Sequence, residues 1–237
     1  MTKHFYRDME NLHRDILALS ALVEEMIGNA ARALRERDAD LAHDVILVDQ
    51  QVDEREVQIE EFCLKMLALH QPVAVELRRI ATVMKVNNDL ERIADLAVNL
   101  AERASSLSAF PGFRPPAELD DMVTISSRMV RDALDAFVNT DAEAARVVCE
   151  TDAEVDRQQT EVINELRATM KSNTQDIEPA LFCFSAARHL ERIADHATNI
   201  AEDVIYLVEG EIVRHHHSSE AASASSTADS SANGTFE

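Results

Sequence analysis

Four pairs of acidic residues, each separated by four positions, are the groups in this sequence best suited to bind a metal cation. They are Asp49 with Asp53, Glu91 with Asp95, Asp152 with Asp156, and Glu191 with Asp195. Residues four apart on a helix lie ~40° apart around its axis and ~6 Å apart along it, so each pair projects from one face. Ligand sets made only of oxygen favour hard cations such as Mg²⁺, Mn²⁺, Ca²⁺ or iron.

The position of these acids in the apolar pattern makes a bound cation the preferred interpretation. The apolar positions Ile80 and Met84 continue by steps of three and four to Glu91 and Asp95. We therefore expect the acids to face the interior, where apolar residues are usual. Two carboxylates ~6 Å apart repel by roughly 3 kcal/mol at an effective dielectric near 20. A domain stable by only ~5–15 kcal/mol requires that repulsion to be neutralised. A polar helix face without metal is the alternative.

Three further residues are candidates for a supporting role at these sites. Asn99 and Asn199 each follow the acids by about one helical turn and could ligate a cation or orient its ligands. His196 is next to Asp195 and could add one nitrogen ligand in the second half of the chain, or could be an ordinary histidine at the edge of the core.

The composition requires long helices to position these side chains. Only four Gly and five Pro occur in 237 residues, too few for the frequent turns of β-sandwiches or α/β folds. Between the Gly and Pro positions the apolar residues recur every three or four positions, which predicts amphipathic helices. A net charge of −21 argues against nucleic acid or an anionic membrane as a partner. The predicted fold class is all-α.

The sequence also repeats itself. Residues 89–102 recur as residues 189–202 with ten of fourteen positions identical, and the segment from Asp38 to Asp53 recurs from Asp141 to Asp156. Two matches in the same order indicate a tandem duplication of a three-helix bundle, six long helices in all. The predicted domains are residues 1–108, a Pro/Gly linker at 109–116, and residues 117–210. A Ser/Ala-rich tail at 211–237 is predicted to be disordered.

Other kinds of site find little support in the residues. Cys63, Cys149 and Cys183 are odd in number and lack metal spacing, which is typical of buried thiols in a reducing compartment. Glu10 and His13 have the Glu-x-x-His spacing of ferritin-like oxidases, but no second pair accompanies them. We expect no catalytic residue and no organic cofactor. With no apolar run long enough for a membrane span and no signal peptide, the expected location is the cytoplasm.

Taken together, these motifs resemble the PhoU family of phosphate-specific transport system accessory proteins. The resemblance is carried by the repeated Leu-Glu-Arg-Ile-Ala-Asp with its downstream Asn, by the Asp-x-x-Val-Asp that precedes it, and by Gln71-Pro-Val-Ala-Val-Glu-Leu-Arg78. It covers residues 10–210. The second repeat has no clear counterpart of the Gln-Pro-x-Ala turn, and Ala94 and Ala194 stand where many members have Gly.

The resemblance implies a function that the residues alone do not. It implies a cytoplasmic homodimer that negatively regulates the phosphate-starvation (Pho) response and contacts the sensor histidine kinase PhoR and the transporter ATPase PstB. It also implies multinuclear clusters of metal cations at the eight acids, with iron expected first and Mg, Mn, Ca or Zn as alternatives. Direct membrane insertion is not expected. The competing hypothesis is a carboxylate-bridged dimetal enzyme, an oxidase or a phosphoester hydrolase.

Overall fold

The computed structural model describes residues 3–210, almost all of them helical. In chain order the helices are α1 (Lys3–Glu36), α2 (Ala39–His70), α3 (Val75–Ser108), α4 (Ala117–Asn139), α5 (Ala142–Ser172) and α6 (Ile177–Glu209), with a 3₁₀ turn at Thr174–Asp176 before α6. Six long helices, without a strand between residues 3 and 210, confirm the predicted all-α fold class. The Ser/Ala-rich segment, predicted to be disordered, lies outside the described residues.

The duplication is visible in the way the second helix of each repeat begins. The Asp38 carboxylate accepts hydrogen bonds from the backbone N–H groups of Asp40 and Leu41, both at 3.0 Å. Asp141 caps α5 in the same way. An aspartate at this position satisfies N–H groups that the first helical turn leaves without partners. The same sequence signal therefore starts a helix at two equivalent places.

Each repeat contributes one helix to the centre of the molecule, where α3 and α6 pack together. Lys85 contacts Asp203, and farther along the helices Asp89 contacts His196, so the two helices run antiparallel. The buried side chains of both repeats form one continuous apolar core. The two three-helix units are therefore halves of a single packed body.

The linker between the repeats is held by specific contacts. The Arg37 guanidinium, at the end of α1, donates to the backbone carbonyl oxygens of Phe110 and Phe113, and the Phe113 side chain is buried.

Between residues 3 and 210, no helix combines the length and apolar character needed to cross a lipid bilayer.

Candidate functional site

The first acidic cluster consists of Asp49 and Asp53 on α2 and Glu91 and Asp95 on α3. Partial burial raises the pKa of Asp49, and the negative charges of Asp53 and Asp95 raise it further. Burial also raises the pKa of Glu91, followed by the charge of Asp95 and, more weakly, that of Asp53. Carboxylates from two helices therefore share one electrostatic environment, as the spacing of the sequence predicts.

The second acidic cluster consists of Asp152 and Asp156 on α5 and Glu191 and Asp195 on α6. Burial raises the pKa of Glu191, and the charges of Asp195 and Asp156 add to that effect. Burial and the charge of Asp156 raise the pKa of Asp195 as well. The duplication thus places an equivalent group of four acids on each repeat.

The acids lie at the solvent-exposed edge of the buried face and not within it, so the prediction that they face the interior is wrong. Asp53, Asp156 and Asp195 are exposed, and the side chains of Glu91 and Asp95 retain 23% and 45% of their accessible surface. The buried stripe of α3 is centred beside the line of the acids; it includes Val83, Val86, Leu90, Ile93, Ala94, Ala97 and Leu100. Both clusters therefore lie at the exposed edges of the helix pairs α2–α3 and α5–α6.

The wrong orientation has a simple physical cause. In α3 the line of residues that leads through Ile80 and Met84 to Glu91 and Asp95 begins at Leu77, and the equivalent line in α6 passes through Leu181; these two leucines are 44% and 52% exposed. A line of residues that starts at the edge of the buried face stays at that edge as it continues along the helix. Apolar character alone did not identify which stripe another helix would cover.

Arginines neutralise part of each cluster. The Arg92 guanidinium lies 3.3 Å from a Glu91 oxygen and 3.4 Å from an Asp95 oxygen, and its side chain is 52% exposed. In the second repeat, Arg188 acts against the raised pKa of Glu191, and His196 followed by Arg192 acts against that of Asp195. In both clusters the carboxylates outnumber the arginines, so both clusters keep a negative potential.

The donor chemistry of the clusters suits a hard cation, although the side chains are not gathered around one. Carboxylate oxygens are the preferred ligands of hard metal ions, and the raised pKa values reflect partial burial first and the charges of neighbouring carboxylates second. As placed, no three His, Cys, Asp or Glu side chains of residues 3–210 form a group that could hold a metal ion. Cation binding would require the exposed carboxylates to rotate toward one another, for which their exposure leaves room. Metal binding therefore stays a prediction.

Comparison with known proteins identifies the fold that carries these clusters. The PhoU domain family matches residues 16–104 and 119–204, which are the two repeats. The chain belongs to the PhoU family.

Individual relatives agree with this assignment along the chain. A phosphate-specific transport system accessory protein PhoU homolog from Pseudomonas putida is 40% identical over 219 residues, covering 91% of this chain and 84% of that protein. One from Aquifex aeolicus is 39% identical over 212 residues, covering 90% and 96%.

Solved PhoU structures have the same fold. The crystal structure of PhoU from Pseudomonas aeruginosa matches with a TM-score of 0.85 and 39% identity, over 87% of this chain and 100% of that one. The phosphate transport system regulatory protein PhoU from Streptococcus pneumoniae matches with a TM-score of 0.82 and 29% identity, over 88% and 99%.

The two asparagines predicted to support the cation sites, Asn99 and Asn199, lie beside the acidic clusters in partly buried positions. Asn99 Nδ2 donates to the backbone carbonyl oxygen of Asp95 at 2.7 Å, which directs its amide nitrogen back along α3. This contact fixes the side chain of Asn99 next to one of the acids.

His196 makes its hydrogen bond to the first PhoU repeat, although its charge also acts against the raised pKa of Asp195 in the second. Its Nδ1 lies 2.8 Å from Asp89 Oδ1 on α3, so the imidazole is committed to the first repeat. The expectation that it could supply a metal ligand is therefore not supported by its position. The sequence does not predict the contact of Asp89 with His196. The repeat alignment pairs Asp89 with His189, and nothing in the neighbouring sequence indicates that Asp89 will face residue 196.

A fifth carboxylate at the first acidic cluster was also not predicted from the sequence. Glu56 lies one helical turn beyond Asp53, and its charge contributes to the raised pKa of Glu91. Asn87 Nδ2 donates to the Glu56 carboxylate and to its backbone carbonyl oxygen, both at 3.0 Å. The position of Glu56, three residues after Asp53, could have indicated this role, but α2 carries too many acids for spacing alone to select Glu56.

Proposed function

We propose that this protein is a regulatory adaptor of phosphate transport, a negative regulator of the phosphate-starvation response that couples the phosphate ABC transporter to its sensor kinase. The observation that carries the proposal is the match of both repeats to PhoU domains. It is supported by relatives named as accessory proteins of the phosphate-specific transport system.

The partners of this adaptor are the transporter ATPase PstB and the sensor histidine kinase PhoR, contacted in the cytoplasm by a homodimer. An adaptor transmits a signal when one of its conformations binds a partner more tightly than another does. The net charge of −21 favours partner surfaces with basic residues and disfavours nucleic acid.

The acidic clusters give the adaptor a way to change conformation. We propose that they hold metal cations, with multinuclear iron preferred and Mg, Mn, Ca or Zn as alternatives. A bound cation would neutralise carboxylates from two helices at once. Asp49, Asp53, Glu91 and Asp95 would hold it between α2 and α3, and Asp152, Asp156, Glu191 and Asp195 between α5 and α6. Asn99 and Asn199 would support them. Cation loading would thereby set the distance between the two helices of each pair. That distance would in turn determine the shape of the outer surface that a partner contacts.

The proposal is tested by measuring both partners and metal on the same protein. Purified protein is titrated against the transporter ATPase and against the cytoplasmic part of the kinase, with EDTA or with Mn²⁺. We expect binding that depends on the cation, and the double variant Glu91→Gln/Asp95→Asn should lose metal from one cluster and keep it in the other. Binding to neither partner under both conditions would contradict the adaptor role.

The names of the relatives favour an adaptor over an enzyme. A dimetal phosphoesterase would hydrolyse a generic phosphoester when loaded with Mn²⁺ and would lose that activity in Asp95→Asn. We expect no turnover by the loaded protein. Turnover abolished by this substitution would replace the adaptor with the enzyme.

A further inference from the structure

The turn between α2 and α3 exposes an unusual amount of apolar surface. Large apolar side chains between residues 69 and 77 keep much of their accessible surface, namely Leu69 at 67%, Val73 at 70%, Val75 at 51% and Leu77 at 44%. Exposed apolar side chains that are grouped in this way commonly mark a surface that binds a partner. In the corresponding turn between α5 and α6, residues 173–176 are all polar. The apolar turn is therefore specific to the first repeat.

The backbone of this turn adopts conformations that are rare for residues other than glycine. Gln71, which follows α2, has φ at +46°, and Ala74, which precedes α3, has φ at +49° with ψ at −117°. None of residues 173–176 in the second repeat has a positive φ. Backbone strain of this kind is concentrated at segments that bind or switch. The strained turn keeps Val73 exposed at a position where folding alone does not require it.

The segment around the turn is basic, although the chain as a whole is acidic. Residues 62–88 contain four Lys or Arg against one Glu, a net charge of +3, in a chain whose total is −21. Arg78 and Lys85 contact α6. Lys65 and Arg79 are exposed, and the Arg79 side chain retains 53% of its accessible surface. Two basic side chains therefore face solvent near the apolar turn.

The acidic clusters are too distant to cancel this local charge. Asp53 precedes Leu69 by sixteen residues, which corresponds to ~24 Å along the axis of α2. The Debye length at physiological ionic strength is ~8 Å, so the charges of the cluster are largely screened at the turn. Asp8 of α1 does reach this end of α2, where it is paired with His70 at 3.0 Å.

A cleft between α1, α3, α4 and α6 continues the apolar surface into the molecule. Its volume is about 360 Å³, and its lining includes the buried side chains of Val83 and Phe137 and the exposed side chains of Tyr6 and Arg79. Val75, Arg79 and Val83 are spaced by four and so lie on one face of α3. The surface is therefore continuous from the start of α3 into the cleft.

This arrangement fits a partner segment that carries an apolar side chain beside an acidic one. An apolar side chain can occupy the cleft, and buried anchors of this kind supply much of the affinity of protein interfaces. The Arg79 guanidinium lies 3.7 Å from Glu76, a long contact that leaves donors for a second carboxylate. Glu10 also lines the cleft, but on α1, so the acidic side chain is expected at the α3 wall.

We propose that Tyr6, Val73, Val75, Arg79 and the adjoining cleft form a docking surface for a protein partner, which binds through a segment that combines an apolar anchor with Asp or Glu. The inference rests on the proposed function, because it identifies the surface through which the adaptor holds one of its partners. The overall charge of −21 acts elsewhere on the partner, since charges separated by more than a Debye length act independently.

The test measures binding of the full-length protein to the transporter ATPase and to the cytoplasmic part of the sensor kinase by calorimetry. Val75→Asp places a carboxylate on the docking surface and should raise the Kd for one partner by about tenfold or more. Ile177→Asp is the matched control, because Val75 and Ile177 are the first residues of α3 and α6. It should leave the Kd nearly unchanged.

Charge reversal at Arg79 tests the acidic character of the partner segment. Arg79→Glu should weaken binding by on the order of tenfold, because it places a negative charge against the partner's carboxylate. Arg167→Glu makes the same change at an exposed residue of α5 and should have little effect. Tighter binding by Arg79→Glu would indicate a basic partner segment and overturn the proposal. Thermal melts verify that each variant is folded.

The outcomes separate the docking surface from the proposed function. If the wild-type protein binds neither partner, the proposed function fails and the docking surface fails with it. If the wild-type protein binds but Val75→Asp binds equally well, only the docking surface is overturned.

Two other occupants would also overturn the assignment to a protein partner. Conversion of a dimer to a monomer by Val75→Asp, measured by analytical ultracentrifugation, would assign the surface to a second copy of this chain. Sedimentation of the wild-type protein, but not of Val75→Asp, with phosphatidylglycerol vesicles would assign it to a lipid surface. We expect neither result.

Discussion

His196 of α6 and Asp89 of α3 meet across the boundary between the repeats, with Nδ1 and Oδ1 2.8 Å apart and side chains 18% and 10% exposed. Each residue lies within two positions of an acid of the candidate sites: Asp89 precedes Glu91, and His196 follows Asp195. The contact therefore fixes the relative position of the two helices that each supply half of a cluster.

Removal of the Asp89 carboxylate should destabilise the protein. Asp89→Ala leaves the largely buried imidazole of His196 without this acceptor, and we expect a loss of about 1–3 kcal/mol in the free energy of unfolding. Asp89→Asn keeps an acceptor oxygen and should cost less. Urea unfolding followed by circular dichroism measures both, with the exposed Asp121→Asn as the control. Equal stability of Asp89→Ala and the control would contradict a structural role for this pair.

The acidic clusters should make stability depend on pH in the absence of metal. The pKa values of Asp49, Glu91, Glu191 and Asp195 are raised in the folded protein. Between the ordinary carboxyl pKa and these raised values the folded chain binds more protons than the unfolded chain, so stability falls as the pH rises through that window.

The comparison protein for this pH effect is the double variant Asp49→Asn/Glu91→Gln, which removes two of the four groups. Melting temperatures in EDTA are measured from pH 4 to pH 7. We expect the wild-type protein to lose stability over this range relative to the variant, and Mn²⁺ at pH 7 to raise the wild-type value. Parallel pH profiles for the two proteins would refute the prediction.

The two aspartate caps should contribute similar amounts of stability, because they make the same contacts in each repeat. Asp38→Ala and Asp141→Ala each remove the acceptor for two backbone N–H groups. We expect each substitution to cost about 1 kcal/mol. Asn is also a good cap, so Asp38→Asn should cost less than Asp38→Ala in the same unfolding measurement. An Asn variant as unstable as the Ala variant would mean that charge, not capping, is responsible.

Two glycines should respond in opposite directions to replacement by alanine. Gly28 lies within α1, and an added Cβ would meet nothing within 4 Å, so Gly28→Ala should stabilise the protein by about 0.5–1 kcal/mol. Gly210 ends α6 with φ at +80°, and an added Cβ would lie 2.5 Å from Arg78 Nη1. Gly210→Ala should therefore destabilise it by about 1 kcal/mol or more. Thermal melts of both variants check the opposite signs.

The sequence by itself determined which segments are helical, where the repeats divide and which acids share a helix face. These features depend on local spacing: the caps at Asp38 and Asp141, the run of Gly and Pro between Ala109 and Pro116, and the interval of four between Asp49 and Asp53. Local spacing can be interpreted from the sequence alone, because residues three and four positions apart lie on the same face of a helix.

Only the tertiary structure decided which face of each helix is covered. Three features depend on side chains from another helix. They are the exposed position of Glu91 and Asp95, the contact of His196 with Asp89, and the hydrogen bonds that Asn87 donates to Glu56. A residue at the edge of an apolar stripe becomes buried or exposed according to how its neighbour crosses it, and the periodicity of a single helix contains no information about that crossing.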